Sequence, residues 1–250
     1  MPVTPHRRER LAFLLVAAGF LSVFALAGCS RSASTSAESA TTPGAPSATT
    51  AQPATGTAAT NSLGETLYTP AYVPNGREIA VIKTNKGTIR VRLYGMEAPI
   101  NTANFIELAR KGFYDGVRFQ RLEPGFVIQG GDPQTKKLSR RQVIKLVAAQ
   151  KRGVYAQGEP MLGTGGPGYA VKGEFSTDHI VHKHVDGTLA AARNDDPDSA
   201  GSQFYFALAP LPELDGRYTV FGDTIGGLKV VHALGIGDLI ESITVENASK

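Results

Sequence analysis

Three stretches of this 250-residue chain concentrate side chains that could do chemistry. The first is Phe119-Gln120-Arg121-Leu122-Glu123-Pro124-Gly125-Phe126-Val127-Ile128-Gln129-Gly130-Gly131-Asp132, with a guanidinium and an amide on either side of a Pro-Gly turn. The second is Ala200-Gly201-Ser202-Gln203-Phe204-Tyr205, and the third Leu214-Asp215-Gly216-Arg217-Tyr218-Thr219-Val220-Phe221-Gly222. A single cysteine, Cys29, excludes an internal disulfide framework and any multi-cysteine metal cluster. His179, His182 and His184, with Asp178 and Asp186, could suggest a metal, but no second ligand cluster accompanies them. Neither a metal nor another cofactor is expected. Gly163-Thr164-Gly165-Gly166-Pro167-Gly168 satisfies a dinucleotide-binding spacing, yet no strand precedes it, and Pro167 and Gly168 oppose a following helix. What remains is two guanidiniums, Arg121 and Arg217, among amides and aromatic rings.

In this order, with Asn101-Thr102-Ala103-Asn104-Phe105 upstream, the three stretches resemble the cyclophilins, peptidyl-prolyl cis-trans isomerases. The resemblance runs from about Glu78 to the C-terminus. It implies a mostly-β fold, an eight-stranded closed antiparallel barrel capped by two helices. It also implies roles for individual residues. Arg121 matches the catalytic arginine, and Gln129 the amide that orients arginine and substrate. Phe126 matches the floor of the proline pocket, Val127 a wall where the family often has Met, and Gly163 the rim. Ala192 and Arg193 match the strand that pairs with the substrate backbone, Arg193 replacing a more familiar Asn. Gln203 and Tyr205 follow the glycine turn, with Tyr205 in place of Phe; Leu214 and Tyr218 close the pocket, Tyr218 in place of His. Lys183-His184 matches a surface pair. Glu213 stands where cyclosporin-sensitive members carry Trp, and the chain has no Trp, so weak cyclosporin binding is expected.

The chemistry implied needs no nucleophile, metal or acid–base pair. An Xaa-Pro bond rotates over a barrier of roughly 18–20 kcal/mol because the nitrogen lone pair is delocalised into the carbonyl. At the twisted midpoint that lone pair is localised and can accept a hydrogen bond. A planar cation with several donors suits that task. Reducing tens of seconds to milliseconds requires lowering the barrier by about 5–6 kcal/mol. One charge-assisted hydrogen bond formed mainly at the midpoint, plus desolvation of the planar amide, is of that size. A segment-binding chaperone or assembly factor with incidental turnover is the alternative; binding alone needs no donor at the nitrogen.

The elements that must position these residues are strands. Glu78–Thr84 and Thr88–Tyr94 alternate apolar and polar residues, with Asn85-Lys86-Gly87 as a hairpin turn between them. Phe105, Leu108 and Ala109 predict a helix over 101–111, stopped at Gly112. Short apolar segments follow at 117–122, 126–129, 187–192, 203–208, 218–221 and 239–246, with a second short helix over 228–234. The 28 glycines and 15 prolines favour such a turn-rich sheet over a helical bundle.

An insertion of about 134–160 interrupts the resemblance. Leu138–Arg152 is predicted helical, with Ser139 and Gln142 as a capping box and Gly153 as the stop. Val143, Ile144, Leu146 and Val147 form its apolar face. Lys136, Lys137, Arg140, Arg141, Lys145, Lys151 and Arg152 make 134–157 net +7 with no acid. The helix either packs on the barrel rim with a solvated face or meets anionic lipid headgroups.

Ahead of the globular part, Arg7, Arg8 and Arg10 precede an apolar run from Leu11 to Ala27, too short for an ordinary bilayer span of about 20 residues. The pattern reads as a secretory signal over 1–28, and Leu26-Ala27-Gly28-Cys29 resembles the lipobox of bacterial lipoproteins. Cys29 would be the lipidated first residue of an extracytoplasmic, membrane-anchored protein. Residues 29–66 read as a tether: 29 of the 33 residues in 30–62 are Ser, Ala, Thr, Pro or Gly, too polar and small to offset chain ordering. The domain would then span 67–250. After cleavage the net charge falls to +2, and everything outside 134–157 is net −5, which argues against a nucleic-acid partner. The expected partners are proline-containing unfolded or flexible polypeptides and a membrane, and the family default is a monomer.

Overall fold

The computed structural model describes residues 59–248. Cys29, the signal segment and most of the tether lie outside the described residues.

The first hairpin forms as its alternation dictates. Strands β1 (Glu78–Thr84) and β2 (Gly87–Leu93) pair with Ile82 opposite Ile89 and Ala80 opposite Val91, all buried. Helix α1 (Pro99–Arg110) follows, with Pro at its first turn, where the missing N–H costs nothing. Then come β3 (Arg121–Glu123), β4 (Val127–Gly130), α2 (Arg140–Lys151), β5 (Thr188–Ala191), β6 (Phe204–Ala207), β7 (Val220–Gly226), α3 (Leu228–Ala233) and β8 (Ile240–Asn247). All the pairings are antiparallel, in the order β3-β4-β6-β5-β7-β2-β1-β8.

The expected closed barrel is corrected to an eight-stranded half-barrel that is curled but open. No ladder joins β3 to β8; a single bridge, Arg118 to Leu239, approaches that seam. The register that sets Arg118 opposite Leu239 would lay β8 along residues 110–117, which are the end of α1 and the turn after it rather than a strand, so backbone hydrogen bonds across the seam stop at Gly116–Phe119 with Gly237–Ile240. The three helices agree with the two expected caps and the insertion helix.

Two apolar clusters divide the sheet by its period of two. On β6, Phe204 and Phe206 face the interior, against Phe105, Phe119, Leu189 and Phe221; Tyr205 and Ala207 face outward, with Val127, Ala190 and Val220. β6 is therefore buried on both faces, and its run Phe-Tyr-Phe-Ala lacks a polar alternation to read.

Insertion helix α2 carries the predicted capping box: Ser139 Oγ accepts the Gln142 N–H, and Gln142 Oε1 accepts the Ser139 N–H (2.8 Å). Val143, Leu146 and Val147 bury against Leu162, Leu138 and Ile236, whereas Ile144, expected on the same face, is exposed. The base of the insertion is closed by buried Asp132, whose carboxylate accepts the N–H groups of Gln134 (2.8 Å) and Gly163 (2.5 Å). Residues 60–66, expected in the tether, close on themselves through the Thr60–Thr66 bridge, and the Ser62 amide donates to Asp196 (2.8 Å), which attaches them to the domain.

Candidate active site

Register places the site. Arg121 on β3 stands opposite Gln129 on β4, Gln129 opposite Tyr205 on β6, Tyr205 opposite Ala190 on β5, and Ala190 opposite Val220 on β7. Directly opposed residues share a face. A guanidinium, an amide and an aromatic ring therefore line up across the outer face of the sheet, at strand spacings of about 4.8 Å.

The amides are oriented by what lies beyond them. Gln203 Nε2 donates to the carbonyls of Gly163 and Gly165 (both 2.8 Å), so its Oε1 must be the acceptor facing inward. That oxygen takes Gln129 Nε2 (2.9 Å) and Gln120 Nε2 (2.6 Å). Gln129 is thereby left with its Oε1 free for Arg121, whose Nη1 donates to it at 3.3 Å. Each group has one geometry compatible with all its partners. A second constraint acts from the strand itself: Arg121 Nε lies 3.7 Å from Glu123 Oε1, and Lys151 of α2 reaches the same oxygen at 3.5 Å.

Beside this polar row lies a continuous apolar surface. Val127 and Tyr205 are buried, and Phe126, Ala192, Leu214 and Tyr218 pack half-buried against them. Gly125, at φ 71°, makes the tight β3–β4 turn that brings Phe126 onto this face; a residue with a Cβ would be strained there. Tyr205 and Tyr218 meet edge to face at 5.9 Å. Ala192 donates its N–H to the Gln203 carbonyl (3.0 Å), extending the sheet edge beside the row. Gly163 sits at φ 96° on the exposed rim. The structure thus sets Arg121, Gln129 and Tyr205 in one row across the sheet, and groups Phe126, Val127, Ala192, Leu214 and Tyr218 in one apolar cluster with Tyr205.

A family model for cyclophilin type peptidyl-prolyl cis-trans isomerase/CLD matches residues 79–249. The chain belongs to that family. It is 37% identical over 171 residues to a peptidyl-prolyl cis-trans isomerase of Helicobacter pylori, covering 68% of this chain and 87% of that protein. It is also 37% identical over 158 residues to peptidyl-prolyl cis-trans isomerase B of Bacillus subtilis, covering 63% and 90%. A Cryptosporidium parvum cyclophilin structure shares its fold at TM-score 0.53 and 24% identity, covering 69% of this chain and 99% of that one. The same protein in the presence of the dipeptide Ala-Pro matches at TM-score 0.50 and 25% identity, with equal coverage. The chain is a peptidyl-prolyl cis-trans isomerase.

Within this cyclophilin, two residues depart from their expected settings. His184 is not on the surface: its side chain is fully buried, with Nδ1 3.0 Å from Asp215 Oδ1 and Nε2 2.9 Å from the Tyr205 hydroxyl. A buried Tyr needs a partner for its hydroxyl; Tyr in place of Phe was the signal, and His184 is the partner. Arg193 keeps its guanidinium for the rim rather than offering it to a ligand. It donates to the carbonyls of Arg217 (2.7 Å), Asn194 (2.7 Å) and Asp195 (3.3 Å), and lies 4.6 Å over Tyr218 and 5.1 Å over Phe175. Gln120 and Glu123, inside the first motif stretch but given no role in the sequence, and Phe175, outside all three stretches, support the site.

Proposed function

We propose that this cyclophilin catalyses Xaa-Pro rotation by arginine assistance in an apolar pocket, acting on exported polypeptides from a lipid-anchored position. The observation that supports the mechanism is the row Arg121–Gln129–Tyr205 beside Phe126, Val127, Leu214 and Tyr218. The proline ring occupies the apolar hollow, and a related cyclophilin has been crystallised in the presence of the proline dipeptide Ala-Pro. The planar amide then leaves water, which removes solvent stabilisation of its carbonyl dipole. Arg121, held by Gln129, donates to the imide nitrogen as its lone pair localises. Because the donor is oriented beforehand by a fixed chain of amides, little reorganisation accompanies rotation. No bond other than a hydrogen bond forms, and no covalent intermediate arises.

The test is exchange NMR on a proline peptide with wild type and Arg121→Ala. The substituted protein should bind peptide but catalyse exchange about 10²–10³ times more slowly, the size of one oriented donor. If it binds normally and relaxes the peptide equally fast, a segment-binding module replaces the enzyme reading.

The anchor reading rests on the Leu26-Ala27-Gly28-Cys29 motif. Cys29→Ser should release the protein from the membrane fraction and remove its acyl mass; retention with no mass change overturns it. The solvent face of α2 fits the same setting: Arg141, Lys145 and Arg152, spaced i, i+4 and i+11, are all exposed, with Ile144 beside them. Such a face suits anionic headgroups, at about 1 kcal/mol per cation near the surface. Replacing those three cations by Glu should weaken flotation on anionic but not zwitterionic vesicles, and equal flotation on both overturns that contact.

A further inference from the structure

His184 is joined at once to both sides of the apolar cluster read as the proline hollow. Its carbonyl accepts the Leu211 N–H (2.9 Å), its own N–H donates to Asp215 Oδ1 (2.7 Å), and its ring bonds Asp215 on one side and Tyr205 on the other. Asp215 belongs to the turn that carries Leu214 and leads into Tyr218, whereas Tyr205 belongs to β6. One imidazole therefore sets the spacing between the sheet side of the hollow and its lid side.

The proton positions follow from the partners. An ionised carboxylate can only accept, so Nδ1 carries the hydrogen and points it at Asp215. Neutral Nε2 is then a bare acceptor and takes the Tyr205 O–H. In that state both ring nitrogens of His184 and the Tyr205 hydroxyl have partners, and Asp215 Oδ1 accepts from the His184 ring and backbone N–H.

A second proton on His184 breaks this arrangement. Nε2–H would have to donate to the Tyr205 oxygen, leaving the phenolic hydrogen in need of a new acceptor. The phenol cannot shed that hydrogen, because burial above all, then Tyr218, pushes its pKa well above the usual tyrosine value. The ring must turn or shift to satisfy its hydroxyl, and the ring is a wall of the hollow.

We propose that Asp215, His184 and Tyr205 form a positioning relay that fixes the aperture of the prolyl pocket, and that protonation of His184 loosens it and weakens substrate binding. The proposal rests on the reading of the apolar hollow as the proline site. The groups that face the imidazole are Asp215 and Glu213 from the 212–215 turn and Tyr205 from β6, with Lys183 next to it in the chain. Burial, the largest influence, disfavours the charged ring; Asp215 and then Glu213 favour it, and the net displacement is downward from 6.5. The relay is consequently intact at neutral pH and is lost as pH falls below His184's lowered value.

The experiment combines peptide exchange NMR with a pH titration from about 7.5 to about 5, the range in which histidine charges. Wild type should lose affinity two- to tenfold on the acid side, the equivalent of one hydrogen bond, while turnover of bound peptide stays constant. In the free protein, methyl shifts of Val127 and Leu214 should titrate with the same midpoint as the His184 imidazole. His184→Gln, whose Oε1 can still accept the Tyr205 O–H, should bind as wild type does at neutral pH and lose the acid limb. Tyr205→Phe, which keeps the ring but removes the link, should bind more weakly at neutral pH and uncouple the methyl shifts from His184, even if His184→Gln fails to fold. An acid limb that persists in His184→Gln, or a wild-type profile in Tyr205→Phe, overturns the relay. If the methyls track His184 but no proline peptide binds, the relay stands and the pocket reading falls.

Discussion

Arg121 illustrates how little of a side chain's role lies in the residue itself. A guanidinium on a three-residue strand is ordinary surface decoration until Gln129 and Gln203 fix which donor points where. Lysine at 121 would keep the charge and lose the planar fork, so Arg121→Lys should retain only a small part of the activity, with KM nearly unchanged; steady-state assays separate the two. Gln203→Ala should reduce kcat about tenfold or more without unfolding the protein, since it frees Gln129 to turn away. Full activity in that variant would sever the proposed amide chain. Glu213 is exposed on the turn beside Leu214. With no indole there, cyclosporin should inhibit weakly, and nanomolar inhibition in an activity assay would contradict the expectation.

At the scale of elements, the insertion is a satellite rather than a part of the main core. α2 buries Val143, Leu146 and Val147 in its own small cluster, and its base is pinned by Asp132 and Gly163. Leu146→Ala removes a buried side chain from that cluster and should cost about 2–5 kcal/mol locally. Hydrogen exchange would reveal it: α2 amides lose protection while those of β6 and β7 keep theirs. Uniform loss of protection would mean that α2 is integral to the core. Lys151 and Arg140 are the links outward, to Glu123 and to buried Asp238 at 3.7 Å from Arg140. The Lys151–Glu123 pair is exposed and contributes about 0–1 kcal/mol, so the apolar cluster rather than that pair holds the helix down.

For the molecule as a whole, two carboxylates attach the segment leading into β1. Glu107 accepts the Tyr68 hydroxyl (2.6 Å) and the N–H groups of Ala71 and Tyr72 (both 2.8 Å). Buried Glu78 accepts the Tyr72 hydroxyl (2.8 Å) and the N–H groups of Asn75 (2.6 Å) and Arg77 (3.0 Å). For each, burial pushes the pKa up but the accepted hydrogen bonds outweigh it, and the net displacement is below 4.5. A depressed carboxylate contributes stability that is present above the unfolded value of 4.5 and lost as pH falls through the lowered folded value. Thermal melts should therefore hold steady at neutral pH and drop as pH falls below 4.5 toward the lowered folded value. Glu78→Gln should cost about 1–3 kcal/mol at pH 7, because a neutral amide cannot accept from all three donors, and it should flatten the acid drop. An unchanged acid profile in Glu78→Gln would assign the loss to other groups.

The order of elements, the β1–β2 hairpin, the α2 capping box and the family were legible in the chain, because each depends on neighbours within a few residues or on a run of matching types. The family resemblance grouped Arg121, Phe126 and Gln129, which sit on two paired strands and the turn that joins them. Tertiary structure decided the rest. The curl stays open because the segment in register with β8 is the end of α1 and its turn rather than a strand, a meeting of elements far apart in the chain. His184 is buried because Tyr205, 21 residues on, brings a hydroxyl that must be matched, and Arg193 is occupied because the 217 carbonyl happens to lie beneath it. Sequence reveals which groups a chain possesses; which of them meet, and which are left facing a substrate, follows from long-range register and from the requirement that buried polar atoms find partners.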